Sequence, residues 1–132
     1  MTTDRFHIGG LARRTGRSVH TIRWYETQGL IPRVERDGGG RRVYEPDHVE
    51  QLIFLERMRR AGMSVAEMRR LTSLGLAGWR TIPERRALLL AHRAQVETRI
   101  VDLQTALTLI DEKVGYYDDW EHRKKRPPPL DL

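Results

Sequence analysis

The chain has 132 residues, 39% hydrophobic and 32% charged, with 24 Lys plus Arg against 18 Asp plus Glu and no cysteine. That leaves room for one compact domain and an extended element, but not for two full domains. It excludes disulfides, thiolate metal sites and a cysteine nucleophile, and no apolar run approaches the roughly 20 residues of a membrane span.

Charge is unevenly placed. Residues 1–80 carry 15 basic and 9 acidic side chains, residues 81–121 carry 5 and 8, and residues 122–132 carry 4 and 1. A basic front of this kind suits a polyanionic partner. Apart from Lys113, Lys124 and Lys125 every basic residue is arginine, which grips phosphate and guanine bidentately; a GC-rich genome is an equally good source of the bias. Thr2 to Arg5 do not open a secretory signal, so the expected location is cytoplasmic.

Residues 8–14 place Ile8, Leu11 and Ala12 at helical spacing, and Gly16 marks a turn. Ser18 is an N-cap for a second helix to residue 28, with Val19, Ile22 and Tyr25 on one face; Gly29 and Pro32 close it. Residues 33–44 lack helical period and centre on Asp37-Gly38-Gly39-Gly40, which predicts a β-hairpin or wing. Pro46 opens a helix to Ala61 whose apolar positions are Val49, Leu52, Ile53 and Leu55. Ser64 with Glu67 predicts a capping box, and Met63 with Met68 a hydrophobic staple, for a helix to about Leu74.

From Pro83 the period changes. Val96, Ile100, Leu103, Leu107, Ile110, Val114 and Tyr117 alternate spacings of four and three, a heptad seam on a helix to about residue 119. A single narrow stripe on so long a helix needs a partner, and a second copy is the expected one. The expected organisation is a compact basic domain over 1–75, a linker over 76–82, a coiled-coil helix over 83–120 and an unstructured tail over 121–132. The fold class is mainly all-α.

Leu11, Ala12, Gly16, Val19 and Ile22 match a helix-turn-helix pattern, which any helical hairpin can also show. The second helix then exposes Arg17, Ser18, His20, Thr21, Arg23 and Trp24 toward phosphates or base edges, with Glu26 the lone acid there. Trp24 reads equally well as a core residue. The five histidines, His7, His20, His48, His92 and His122, show no metal-ligand spacing, and no nucleophile set supports catalysis.

Residues 8–16 (Ile8 to Gly16), the block Thr21-Ile22-Arg23-Trp24-Tyr25-Glu26 with Gly29-Leu30, then Gly40-Arg41-Arg42-Val43-Tyr44, Phe54-Leu55 and Gly62 to Met68 together resemble the MerR family of bacterial transcription regulators. The resemblance implies a dimer with a winged helix-turn-helix at each end of an antiparallel coiled coil. It implies a palindromic operator on double-stranded promoter DNA, distorted so that RNA polymerase can use over-spaced promoter elements. Carried over to this sequence, the wing contributes Gly40, Arg41, Arg42 and Tyr44 to the DNA-binding set. Three residues depart from the usual pattern: Gly10 for glutamate, Trp24 for tyrosine and Arg41 for tyrosine. Without cysteine, sensing by thiolate is excluded and no cofactor or metal is expected. Any effector is then a small organic molecule near Leu74, Trp79, Leu88 and Leu89, where Trp79 alternatively packs two helices together. Two other readings fit the residues: an excisionase-like architectural protein that bends DNA without sensing, and an interaction protein that recruits a partner through its coil.

Overall fold

The computed structural model describes residues 4–131. They form two compact units, one reaching Leu90 and one starting at Ala91.

In the first unit, α1 (Ile8–Thr15) and α2 (Val19–Thr27) form the expected helix-turn-helix. Gly16 ends α1 in the left-handed region at φ 68°, and the Ser18 hydroxyl accepts the Thr21 N–H at 3.1 Å to start α2. Gly29, at φ 76°, closes α2: its N–H reaches the Glu26 carbonyl, and the Leu30 N–H reaches that of Tyr25. Strands β1 (Glu35–Arg36) and β2 (Arg42–Val43) pair antiparallel with Glu35 opposite Val43 and Arg36 opposite Arg42. Asp37 organises the turn. One carboxylate oxygen accepts the N–H groups of Gly39 and Arg41, both at 3.0 Å, and the other faces His7 Nε2 at 2.9 Å. The hydrogen bond with His7, aided by the backbone N–H groups of Arg41 and Gly39, holds the Asp37 carboxyl below its ordinary value.

The hairpin has a third member that sequence pattern did not indicate: Phe6 and Tyr44 exchange two backbone hydrogen bonds of 3.0 and 2.7 Å. This carries Phe6 over α1, where a Cβ on Gly10 would lie 2.9 Å from the Phe6 Cβ. Glycine at position 10 therefore answers a close approach.

Helix α3 (Pro46–Arg60) starts with a reciprocal box between Glu45 and His48. His48 Nδ1 accepts the Glu45 N–H, so Nε2 is the protonated nitrogen and donates to the Pro32 carbonyl at 2.9 Å. Helix α4 (Val65–Leu76) follows, its Ser64 cap accepting the Glu67 N–H at 3.1 Å. The expected box there is half made, because the Glu67 carboxylate accepts the Ser64 hydroxyl instead of its backbone N–H. Met63 and Met68 are both buried, as the staple requires.

The core is built on Leu11, Ile22, Tyr25, Leu30, Tyr44, Leu52, Leu55 and Met68. Ile53, expected to face it, is 46% exposed. His48, Leu52 and Leu55 set the inward stripe of α3, and Ile53 follows Leu52 by about 100° of helical rotation. A 3₁₀ turn (Trp79–Thr81) leads into α5 (Ile82–Arg123). Leu88 and Leu89 pack against this core, so the first unit extends past the expected boundary at residue 75.

In the second unit α5 continues from Ala91, the whole helix counting 42 residues, about 63 Å at 1.5 Å per residue. Ile100, Leu103, Leu107, Ile110, Val114 and Tyr117 of the seam are all exposed, with Val96 half-buried. The tail differs from its unstructured expectation. The chain turns at Lys124, φ 55°, and the Tyr116 hydroxyl donates to the Pro127 carbonyl at 3.0 Å while Arg126 Nε donates to that hydroxyl at 3.3 Å. This aromatic anchor, with Arg126 also over the Trp120 ring, offsets the polar character of the segment. Among the described residues no helix is long and apolar enough to cross a membrane, and no group of three or more His, Cys, Asp or Glu is placed to hold a metal ion.

Candidate nucleic-acid interface

Helix α2 is amphipathic. Ile22 and Tyr25 enter the core, which leaves His20 and Arg23 exposed on the opposite side. The hairpin lies beside that side, and the two elements enclose an open concavity of about 530 Å³ lined by Arg23, Glu26, Thr27, Ile31, Val34, Arg36 and Arg42. A second concavity of about 240 Å³ shares Arg23, Arg36 and Arg42 and adds Arg41. Four guanidinium groups thus surround one surface between a helix and a two-stranded wing. With Glu26 as the one carboxylate in the larger concavity, the guanidinium groups outnumber the acid, so the surface suits phosphate.

A tyrosine–glutamate pair borders it. The buried Tyr44 hydroxyl donates to Glu26 Oε1, and Arg42 Nε meets Glu26 Oε2 at 2.9 Å. Burial, then the bond to Glu26, pushes the Tyr44 phenol well above its ordinary value. On the core-facing side of α2, Tyr25 donates to Glu56 at 2.6 Å, and Glu56 also faces Arg17 at 3.6 Å and Arg60 at 3.3 Å. The Tyr25 hydrogen bond, partly opposed by burial, lowers the Glu56 carboxyl.

The residues expected to meet DNA divide accordingly. Arg23, Arg41 and Arg42 line this surface, Gly40 is exposed at the hairpin tip, His20 is exposed on the outer face of α2, and Thr21 is half-buried with its hydroxyl accepting from Ser18 at 3.0 Å. Ser18 is committed to its cap, and Arg17 turns toward Glu56. Tyr44 is fully buried and cannot reach a duplex, because its ring fills the core and its hydroxyl is taken by Glu26. Trp24 is half-buried against the core, with the Arg59 guanidinium 4.5 Å from its ring centre. Arg36 was missed; only the strand register, which sets it opposite Arg42, brings it to the site. Its Nη1 donates to the Gly40 carbonyl at 2.7 Å and steadies the turn.

The residues expected around an effector have different surroundings. Leu88 and Leu89 pack on the core, whereas Trp79 is 74% exposed with Arg80 over its ring.

Residues 6–74 match the family described as MerR HTH family regulatory protein, and residues 49–112 match the one described as MerR, DNA binding. The chain is 38% identical over 96 residues to the ZntR-homologue transcriptional regulator of Haemophilus influenzae, covering 73% of this chain and 71% of that one. It is 40% identical over 108 residues to the HmrR transcriptional regulator of Rhizobium leguminosarum bv. viciae, covering 82% and 72%. Among solved structures it superposes on HiNmlR, a MerR family regulator lacking the sensor domain and bound to promoter DNA, with a TM-score of 0.83, 27% identity and coverage of 92% and 97%. A MerR family regulator from Listeria monocytogenes gives a TM-score of 0.81 at 34% identity, covering 86% of each chain. The helix-turn-helix, the arginine-lined wing and these matches lead to one conclusion: the chain belongs to the MerR family of DNA-binding transcription regulators.

Proposed function

We propose that the protein acts as a homodimer on a palindromic operator within a promoter, sets α2 of each copy in a major groove and the hairpin on flanking phosphates, and distorts the operator's centre. The observation that carries this reading is the joint surface of Arg23, Arg36, Arg41 and Arg42 between α2 and the wing. His20, Arg23 and Thr21 are the base-reading candidates; Arg41 and Arg42 are the phosphate anchors. The exposed seam from Ile100 to Tyr117 supports a second copy of the chain as partner, and two copies fix the spacing of two half-sites. The promoter-bound HiNmlR, aligned over 97% of its length, supports promoter DNA as the target. The role is regulatory rather than enzymatic, in the cytoplasm, with RNA polymerase at the same promoter. Any effector is a small organic molecule that reaches the region of Trp79. The test is fluorescence-anisotropy titration of promoter duplexes: nanomolar binding to one inverted repeat, with random duplex at least 10³-fold weaker, is expected. Equal affinity for all sequences would leave an architectural binder.

A further inference from the structure

Glu26 is the one carboxylate lining the larger arginine-rich concavity. Its side chain is only 13% exposed, and its two oxygens have different partners: Oε1 accepts the hydroxyl of the buried Tyr44, and Oε2 is ion-paired with Arg42 Nε at 2.9 Å. Tyr44 is itself fixed, fully buried and bridged to Phe6 through two backbone bonds. The carboxylate therefore has no freedom to follow Arg42; Arg42 must follow it. A guanidinium bound through Nε keeps both terminal nitrogens for another acceptor. The Arg42 side chain is half-exposed.

We propose that Glu26 is a positioning residue for DNA binding: seated by the Tyr44 hydroxyl, it fixes the Arg42 guanidinium so that its terminal nitrogens meet one backbone phosphate beside the recognition helix. The proposal rests on the reading of Arg42 as a DNA contact. It opposes simple charge counting. Removing a negative charge from a basic groove strengthens attraction to a polyanion, whereas removing a positioning group weakens binding.

Glu26→Gln separates the two. The amide oxygen still accepts from Tyr44, but the amide nitrogen cannot accept from Arg42, so the seat survives and the pairing is lost. Anisotropy titrations over a salt series on an operator duplex compare wild type, Glu26→Gln, Arg42→Ala and the double variant. Arg42→Ala, which removes one phosphate contact from each copy of the dimer, is expected to weaken binding about tenfold and to reduce the magnitude of the log–log salt slope by about 1.8. Glu26→Gln is expected to weaken binding several-fold, and the double variant to bind no worse than Arg42→Ala alone. Glu26→Gln binding as tightly as wild type or tighter, or its loss adding in full to that of Arg42→Ala, overturns the proposal. Wild-type affinity in Arg42→Ala instead overturns the assignment of Arg42 to the DNA. If Glu26→Gln lowers the melting temperature, Tyr44→Phe, which unseats the carboxylate without touching the pair, must give the same sign of loss and none in the Arg42→Ala background; otherwise the proposal fails.

Discussion

Gly10 and Phe6 approach so closely that a Cβ at residue 10 would sit 2.9 Å from the Phe6 Cβ. Glycine inside a helix normally costs roughly 1 kcal/mol against alanine. Here the cost is offset by a contact that lets the strand-like residue Phe6 cross α1 and pair with Tyr44. Gly10→Ala should therefore destabilise the protein by roughly 1 kcal/mol despite the better helix former, since forced overpacking costs about 1–3 kcal/mol. Urea unfolding monitored by circular dichroism measures this; a gain in stability would show that Phe6 yields freely.

Glu56 gives a pH signature. The Tyr25 hydroxyl and the nearby arginines hold its carboxyl below the ordinary 4.5, so its stabilising effect is present above that value and is lost as pH falls through the depressed one. Glu56→Gln should lower the urea midpoint at pH 7, and the gap from wild type should close below about pH 4.5. A gap of constant size down to pH 3 would show that the charge of Glu56 is irrelevant.

The seam on α5 predicts assembly. Ile100→Asp with Leu107→Asp places four charges in a two-helix interface and should give monomers with strongly weakened operator binding. Sedimentation equilibrium reads the mass directly, and a monomeric wild type would contradict the proposed dimer.

Arg23 lines both concavities and has no ion-pair partner among the described residues. If it reads a base, Arg23→Ala costs roughly 1–3 kcal/mol on the operator and relaxes specificity at one position per half-site. Equal losses on operator and random duplex would make it a phosphate anchor.

What the sequence disclosed was governed by local signals. Ser18, Gly16 and Pro46 act within one helical turn, so their patterns survive without knowledge of the fold. The hairpin was legible from Asp37 and the glycines after it, but its register was not, and Arg36 was lost with it. Glu45 caps α3 through a histidine, a pairing the Ser/Thr–Glu pattern does not contain. Tyr44 looked like a wing residue because nothing local reveals that Phe6 buries it, 38 positions away in the chain. The tail was judged on its composition, and its anchor is one distant side chain, Tyr116.

The most direct test of the central claim is footprinting of the full-length protein on the promoter it controls, with permanganate probing of the same complex. Two protected half-sites related by a dyad are expected, with hyper-reactive thymines at the centre and both patterns abolished by Ile100→Asp with Leu107→Asp. Protection without symmetry, or an unreactive centre at full occupancy, would contradict the account of a dimer that reads two half-sites and distorts the DNA between them.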